Sequence, residues 1–111
     1  QSDLCEVRKM IHKIGFFIEK EKFCMDAGKP YLVMRAVRGE EKTPYEPAEY
    51  EYGRLLPEVS DDAYRKFLLD ERDKKMKLQE TLNMQKTSGA GARVEELTEE
   101  ITGLNWILNK F

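Results

Sequence analysis

Towards the end of the chain, apolar residues recur at Val94, Leu97, Ile101, Leu104, Leu108 and Phe111, in steps of three and four. That heptad spacing lines six side chains along one seam and predicts an α-helix over 92–110. Trp106 and Ile107 flank the seam. The same spacing appears at Leu4, Val7, Ile11, Ile14 and Ile18, with Met10, Phe17 and Cys24 as a second stripe. Ser2 and Asp3 are capping residues, Glu6 completes a capping-box-like start, and Ala27-Gly28-Lys29-Pro30 is a stop signal. A single helix over 3–27 is therefore expected.

A third helix is predicted over 61–86, capped by Ser60. Tyr64, Phe67, Leu68 and Leu69 form its apolar start, and Leu78, Leu82 and Met84 its apolar end. Between them, 70–77 holds one apolar residue, Met76, and three acid-to-base pairs spaced i to i+4: Asp70–Lys74, Glu71–Lys75 and Asp73–Lys77. This middle section reads as a solvated helix. Tyr31 to Val37 is almost continuously apolar, as in a buried strand, whereas Glu49-Tyr50-Glu51-Tyr52 alternates, as in a half-exposed one. A small β-hairpin over 31–54 is expected, with an ordered loop as the alternative.

The expected fold is mainly α: three amphipathic helices and a small hairpin in one domain spanning 1–111, with a turn or linker at 87–91. Folding the last two helices back on each other about Gly89 and Ala90 sets Leu82 against Leu97 and Leu78 against Ile101. It also sets Lys75 against Leu104 and Glu71 against Leu108, which are poor partners. The cluster of Leu104, Trp106, Ile107, Leu108 and Phe111 then needs cover from helix 3–27 or from another chain, because each large apolar side chain gains about 1.5–3 kcal/mol on burial. The expected interface is accordingly Val94, Leu97, Ile101, Leu104, Trp106, Ile107, Leu108 and Phe111, with Leu4, Val7, Ile11, Ile14 and Ile18. The expected partner is a second copy, forming a homodimer, or another helical protein.

Charge adds little to this reading. The chain of 111 residues is 36% charged, yet its formal net charge is −2. No global basic field draws it to nucleic acid, which makes that partner unlikely. Arg35, Arg38, Lys42 and Arg54, interleaved with Tyr31, Tyr45, Tyr50 and Tyr52, form the one local hint of an RNA or DNA surface. Glu40, Glu41, Glu46, Glu49 and Glu51 offset it.

On one helix, Cys5 and Cys24 lie about 28 Å apart, too far for a disulfide. Reduced thiols fit an intracellular protein, cytoplasmic or nuclear. No apolar run is long enough to span a membrane.

The single histidine, His12, and the two cysteines are too few for a zinc site and too far apart for a nucleophile and its base. The i,i+4 carboxylates Glu95–Glu99 and Glu96–Glu100 lack the Glu-x-x-His of a di-metal bundle. Gly89 and Gly91 lack the strand and Lys-Ser/Thr of a phosphate loop. No catalytic, metal or cofactor residue emerges. The reading is a non-enzymatic interaction module, an adaptor or assembly subunit docking as a coiled coil or helical bundle. A small nucleic-acid-binding regulator using 31–54 is the alternative.

Overall fold

The computed structural model describes residues 3–58, 62–85 and 89–111. The expected caps Ser2 and Ser60, and Thr87 and Ser88 of the expected linker, lie outside the described residues. In chain order the elements are α1 (Asp3–Lys13), β1 (Phe16–Asp26), β2 (Lys29–Arg38), α2 (Pro47–Tyr52), α3 (Leu55–Glu58), α4 (Asp62–Gln85) and α5 (Ala90–Leu108). The mainly helical class with one small antiparallel hairpin holds. The three-helix count and the position of the hairpin do not.

The expected helix over 3–27 ends at Lys13. Gly15, at φ +87°, donates its N–H to the His12 carbonyl at 3.1 Å, a turn that terminates α1. Phe16, Phe17 and Ile18 then open a strand, as aromatic and β-branched residues favour. The heptad steps through Ile14 and Ile18 cross this boundary: Ile14 is exposed beyond the helix, and Ile18 is buried in β1.

Ala27 and Gly28, read from the sequence as a helix stop, form the hairpin turn. Their φ values of 52° and 78° suit a two-residue type I′ connection. Asp26 pairs with Lys29 and Phe23 with Leu32. A bulge between Ile18 and Lys20 brings Ile18, Glu21 and Phe23 all to the buried side.

Glu49 to Tyr52, expected as a strand, belong to α2. Pro47 pre-sets the first turn, and the Glu49 side chain accepts the Glu46 N–H at 2.7 Å. The alternation of Glu and Tyr was a weaker signal than this start.

Helices α4 and α5 pack on each other in a register that resolves the conflict seen in the sequence. Lys75 meets Glu100 at 2.7 Å, Gln79 meets Thr98 at 2.6 Å and Arg72 meets Asn105 at 2.9 Å. Polar groups of the charged middle of α4 thus face polar groups of α5. Lys74 stays in solvent, but Lys75 turns inward and is not the solvated residue expected. Leu104 and Ile107 join Phe23, Leu56, Tyr64 and Leu68 in one core, with Leu32, Tyr52, Phe67, Leu108 and Phe111 packed against it. The hairpin, which the sequence reading placed elsewhere, supplies part of the cover for this cluster.

Candidate functional site

A six-residue helix is marginal by itself, because its last carbonyls have no partners within the helix. In α2 those carbonyls are met from two directions. Arg8 of α1 donates from Nη1 to the carbonyls of Tyr50 at 2.7 Å and Glu51 at 3.1 Å. The Tyr64 hydroxyl of α4 donates to the Tyr52 carbonyl at 2.6 Å. Arg8 also donates from Nε and Nη2 to Glu21 Oε1, at 3.1 and 2.7 Å. The second carboxylate oxygen of Glu21 is buried without a hydrogen bond. Burial pushes the Glu21 carboxyl above its ordinary value, against the pull of Arg8.

Next to this network, His12 links three segments. Its Nε2 lies 2.8 Å from Glu41 Oε2, which also accepts the Ile18 N–H, and its Nδ1 lies 2.7 Å from the Tyr50 hydroxyl. Arg54 pairs with Glu49, donates to the Thr43 carbonyl at 2.8 Å and lies over the Tyr45 ring at 4.2 Å. Burial pulls the Glu49 carboxyl upward, but Arg54 and the Glu46 N–H outweigh it and hold Glu49 below its ordinary value. These side chains brace a framework that fixes α2 against α1, β1 and α4.

The framework frames a cleft of about 310 Å³ near the carboxyl end of β1. Phe23 and Tyr31 of the hairpin and Tyr64 and Phe67 of α4 give it aromatic walls, and Glu51 and Glu71 lie at its polar side. On the hairpin, Lys20 stands opposite Arg35, and both are exposed, as are Lys22 and Arg38. Arg35 is paired with Glu19 at 3.2 Å.

Lys20 and Lys22 were missed in the sequence. Their signal was the alternation Glu19-Lys20-Glu21-Lys22, which in a strand sends both lysines to one face. Of the expected nucleic-acid cluster, Arg35, Arg38, Lys42 and Tyr31 are exposed, but Arg54 is held by Glu49 and Tyr45 is buried.

Among the expected interface residues, Leu97, Leu104, Ile107 and Ile18 are buried within the chain. Val94, Ile101, Leu108, Phe111, Leu4 and Ile11 are half-buried, while Val7, Ile14 and Trp106 are exposed. Lys110 lies over the Trp106 ring at 4.3 Å. Cys5 and Cys24 are free thiols, one buried on α1 and one exposed on β1. Among the described residues, no helix is long and apolar enough to cross a membrane.

The fold recurs in solved structures. The Bacillus subtilis M1A22 tRNA methyltransferase TrmK matches 94% of this chain with a TM-score of 0.79 at 17% identity, over 47% of its own length. Streptococcus pneumoniae Sp1610 in complex with S-adenosyl-L-methionine matches 96% of this chain with a TM-score of 0.72 at 19% identity, over 44% of its own length. A Streptococcus agalactiae protein of the NADB-Rossmann superfamily matches 96% with a TM-score of 0.74 at 18% identity, over 44% of its own length. The chain thus spans less than half the length of these structures. No curated protein matches it.

A family model described as TrmK, tRNA (adenine(22)-N(1))-methyltransferase, matches residues 1–105. That match overturns the expected non-enzymatic adaptor, the coiled-coil oligomer with a helical partner, the nucleic-acid-binding regulator and the unlikely standing of nucleic acid. The physical source of the error is visible in the packing. The seam assigned to a partner is largely consumed inside the chain, and net charge says nothing about where exposed cations gather. RNA engagement also needs no nucleophile, metal ligand or phosphate loop in the chain, so the absence of those motifs carried no information about it. The chain belongs to the TrmK family of tRNA (adenine(22)-N(1))-methyltransferases.

Proposed function

We propose that this chain takes part in N1-methylation of an adenine in tRNA, and that its share of the work is engaging the RNA. The observation that carries this is the family match over residues 1–105. S-adenosylmethionine, present with one structural relative, is not fitted by the described residues. Cofactors of Rossmann-type folds lie at the carboxyl ends of parallel strands joined through helices. Here the described strands are one antiparallel pair joined by Ala27 and Gly28. The methyl group would come from such a donor, and no step is assigned to it on these residues.

Adenine N1 lies on the Watson–Crick edge, so an enzyme that alkylates it must hold the base out of its pair. The exposed cations Lys20, Lys22, Arg35 and Arg38 on the hairpin suit phosphate contacts, which set affinity and make it salt-dependent. This reading also places the protein inside the cell, where tRNA is found.

Two measurements test it. A polypeptide carrying this chain, incubated with unmodified tRNA and methyl-labelled S-adenosylmethionine, should yield labelled 1-methyladenosine after digestion of the RNA. Label in a different nucleoside, or none, overturns the assigned reaction. The chain itself should bind tRNA with an affinity that falls steeply with salt, and Lys20→Glu with Arg35→Glu should flatten that dependence. Binding that is absent, or unchanged in the double variant, overturns the assigned share.

A further inference from the structure

We propose that the cleft between the hairpin tip and α4 is a subsite for an unstacked RNA base carrying an exocyclic amino group. The inference rests on the tRNA-engaging reading and names the part of the RNA that this region would hold.

The volume, about 310 Å³, is at the small end of ligand pockets. Its walls are built for a flat apolar group. Tyr31 is 49% exposed and Phe67 is half-buried, so both offer ring surface to an incoming base. Phe23 backs Phe67, with ring centroids 5.3 Å apart, and fixes its plane. Base stacking on aromatic side chains is tolerant of base identity.

Discrimination comes from the polar side. Glu51 and Glu71 are among the lining residues, with Lys74 Nζ 3.8 Å from Glu71 Oε1 and the Cys5 thiol beside Glu51, and ionised carboxylates only accept hydrogen bonds. They repel phosphate and suit an amino group on a base edge. Lys75, the cation among the lining residues, is held by Glu100 at 2.7 Å. Phosphate contact falls instead to exposed Lys29, at the hairpin turn next to Pro30 and Tyr31.

The cleft lies where the hairpin turn meets α4, lined by Phe23, Pro30 and Tyr31 on one side and Tyr64 and Phe67 on the other. The Tyr64 hydroxyl, bound to the Tyr52 carbonyl, ties the α4 wall to α2, so the cleft is preformed.

The test uses the 111-residue chain and a short single-stranded oligoribonucleotide with 2-aminopurine at its centre, compared with the same strand carrying an abasic site there. The unaltered chain should bind the 2-aminopurine strand more tightly and quench its fluorescence. Tyr31→Ala should weaken that binding about 5- to 150-fold and leave binding of the abasic strand unchanged, while Tyr31→Phe should retain it. Replacing 2-aminopurine by unsubstituted purine tests the carboxylates: the chain should prefer the amino base, and Glu71→Ala should erase the preference.

Equal binding of the abasic and 2-aminopurine strands, or a Tyr31→Ala variant that binds as the unaltered chain does, overturns the subsite. If intact tRNA still binds in that case, the RNA-engaging reading survives the loss of the subsite. If no RNA binds at all, both fall.

Discussion

Arg8 and Glu21 form an ion pair, Nη2 to Oε1 at 2.7 Å, in which both side chains are completely buried. The same guanidinium completes the carboxyl end of α2. One side chain thus joins α1, β1 and α2. Arg8→Leu removes the counter-charge of Glu21 and the donors for two carbonyls at once. It should destabilise the protein by about 3–5 kcal/mol, the usual cost of breaking a buried pair. The double variant Arg8→Leu with Glu21→Leu should recover part of that loss. Chemical denaturation of the three proteins checks it. A single-variant loss within the range of surface substitutions, about 0.5 kcal/mol, would contradict the role assigned to Arg8.

Gly53 stands beside this pair. Its φ is +95°, and an added Cβ would lie 3.0 Å from Glu21 Oε2 and 3.1 Å from Arg8 Nη2. Gly53→Ala therefore combines a positive-φ backbone with pressure on a buried ion pair. It should cost more than Gly28→Ala, where φ is +78° and nothing lies within 4 Å. Gly53, at ψ 147°, also lies close to a backbone region that is essentially glycine-only, worth about 1–3 kcal/mol, so its excess combines backbone strain with crowding. Equal melting temperatures for the two variants would show that the pair yields freely.

Acid should loosen the contact between α4 and α5. Burial pulls the Glu100 carboxyl upward, but Lys75 and Arg93 outweigh it and hold Glu100 below its ordinary value. A depressed carboxyl contributes stability above its unfolded value, and that contribution is lost as pH falls through the folded one. Lys75→Met should reduce this acid sensitivity by about 0.5–1 kcal/mol, the scale of a partly exposed pair. Glu21 has the opposite sign: its raised carboxyl contributes fully below the ordinary carboxylate range and less as pH rises through the raised value. Stability curves against pH for the unaltered chain and Lys75→Met separate the two. Identical acid limbs would refute the Glu100 assignment.

Leu104 is fully buried beside Ile107 in the core containing Phe23 and Leu68. Leu104→Ala should cost about 2–5 kcal/mol and Leu104→Asp should unfold the protein. Met84 is 82% exposed near the end of α4, so Met84→Ala should stay within about 0.5 kcal/mol. Thermal melts of these variants test whether the heptad seam of α5 is held within the chain.

Elements whose signals are local and long were legible before any tertiary contact was known. Helices α4 and α5 lie within two residues of their expected bounds: α4 because apolar ends are joined by acid–base pairs spaced i to i+4, α5 because its periodic apolar seam persists over several turns. Leu97 and Leu104 were legible as buried positions for the same reason. Shorter elements were not legible. From Leu4 to Ile18 a helical period was satisfied on paper, while Gly15 and the aromatic run after it ended the helix at Lys13. Ala27-Gly28 serves equally as a helix stop and as a hairpin turn, and only pairing between Phe23 and Leu32 and their neighbours selects the second.

What the tertiary structure alone decided is the cover of the Leu104–Ile107 cluster and the formation of the cleft. Both depend on residues far apart in sequence: Phe23 reaching the core from β1, Lys75 finding Glu100, and Tyr31 facing the same space as Phe67. Local pattern specifies which side chains seek burial, but not which of the available faces meets them. That choice follows from the summed packing and hydrogen bonding of the whole chain.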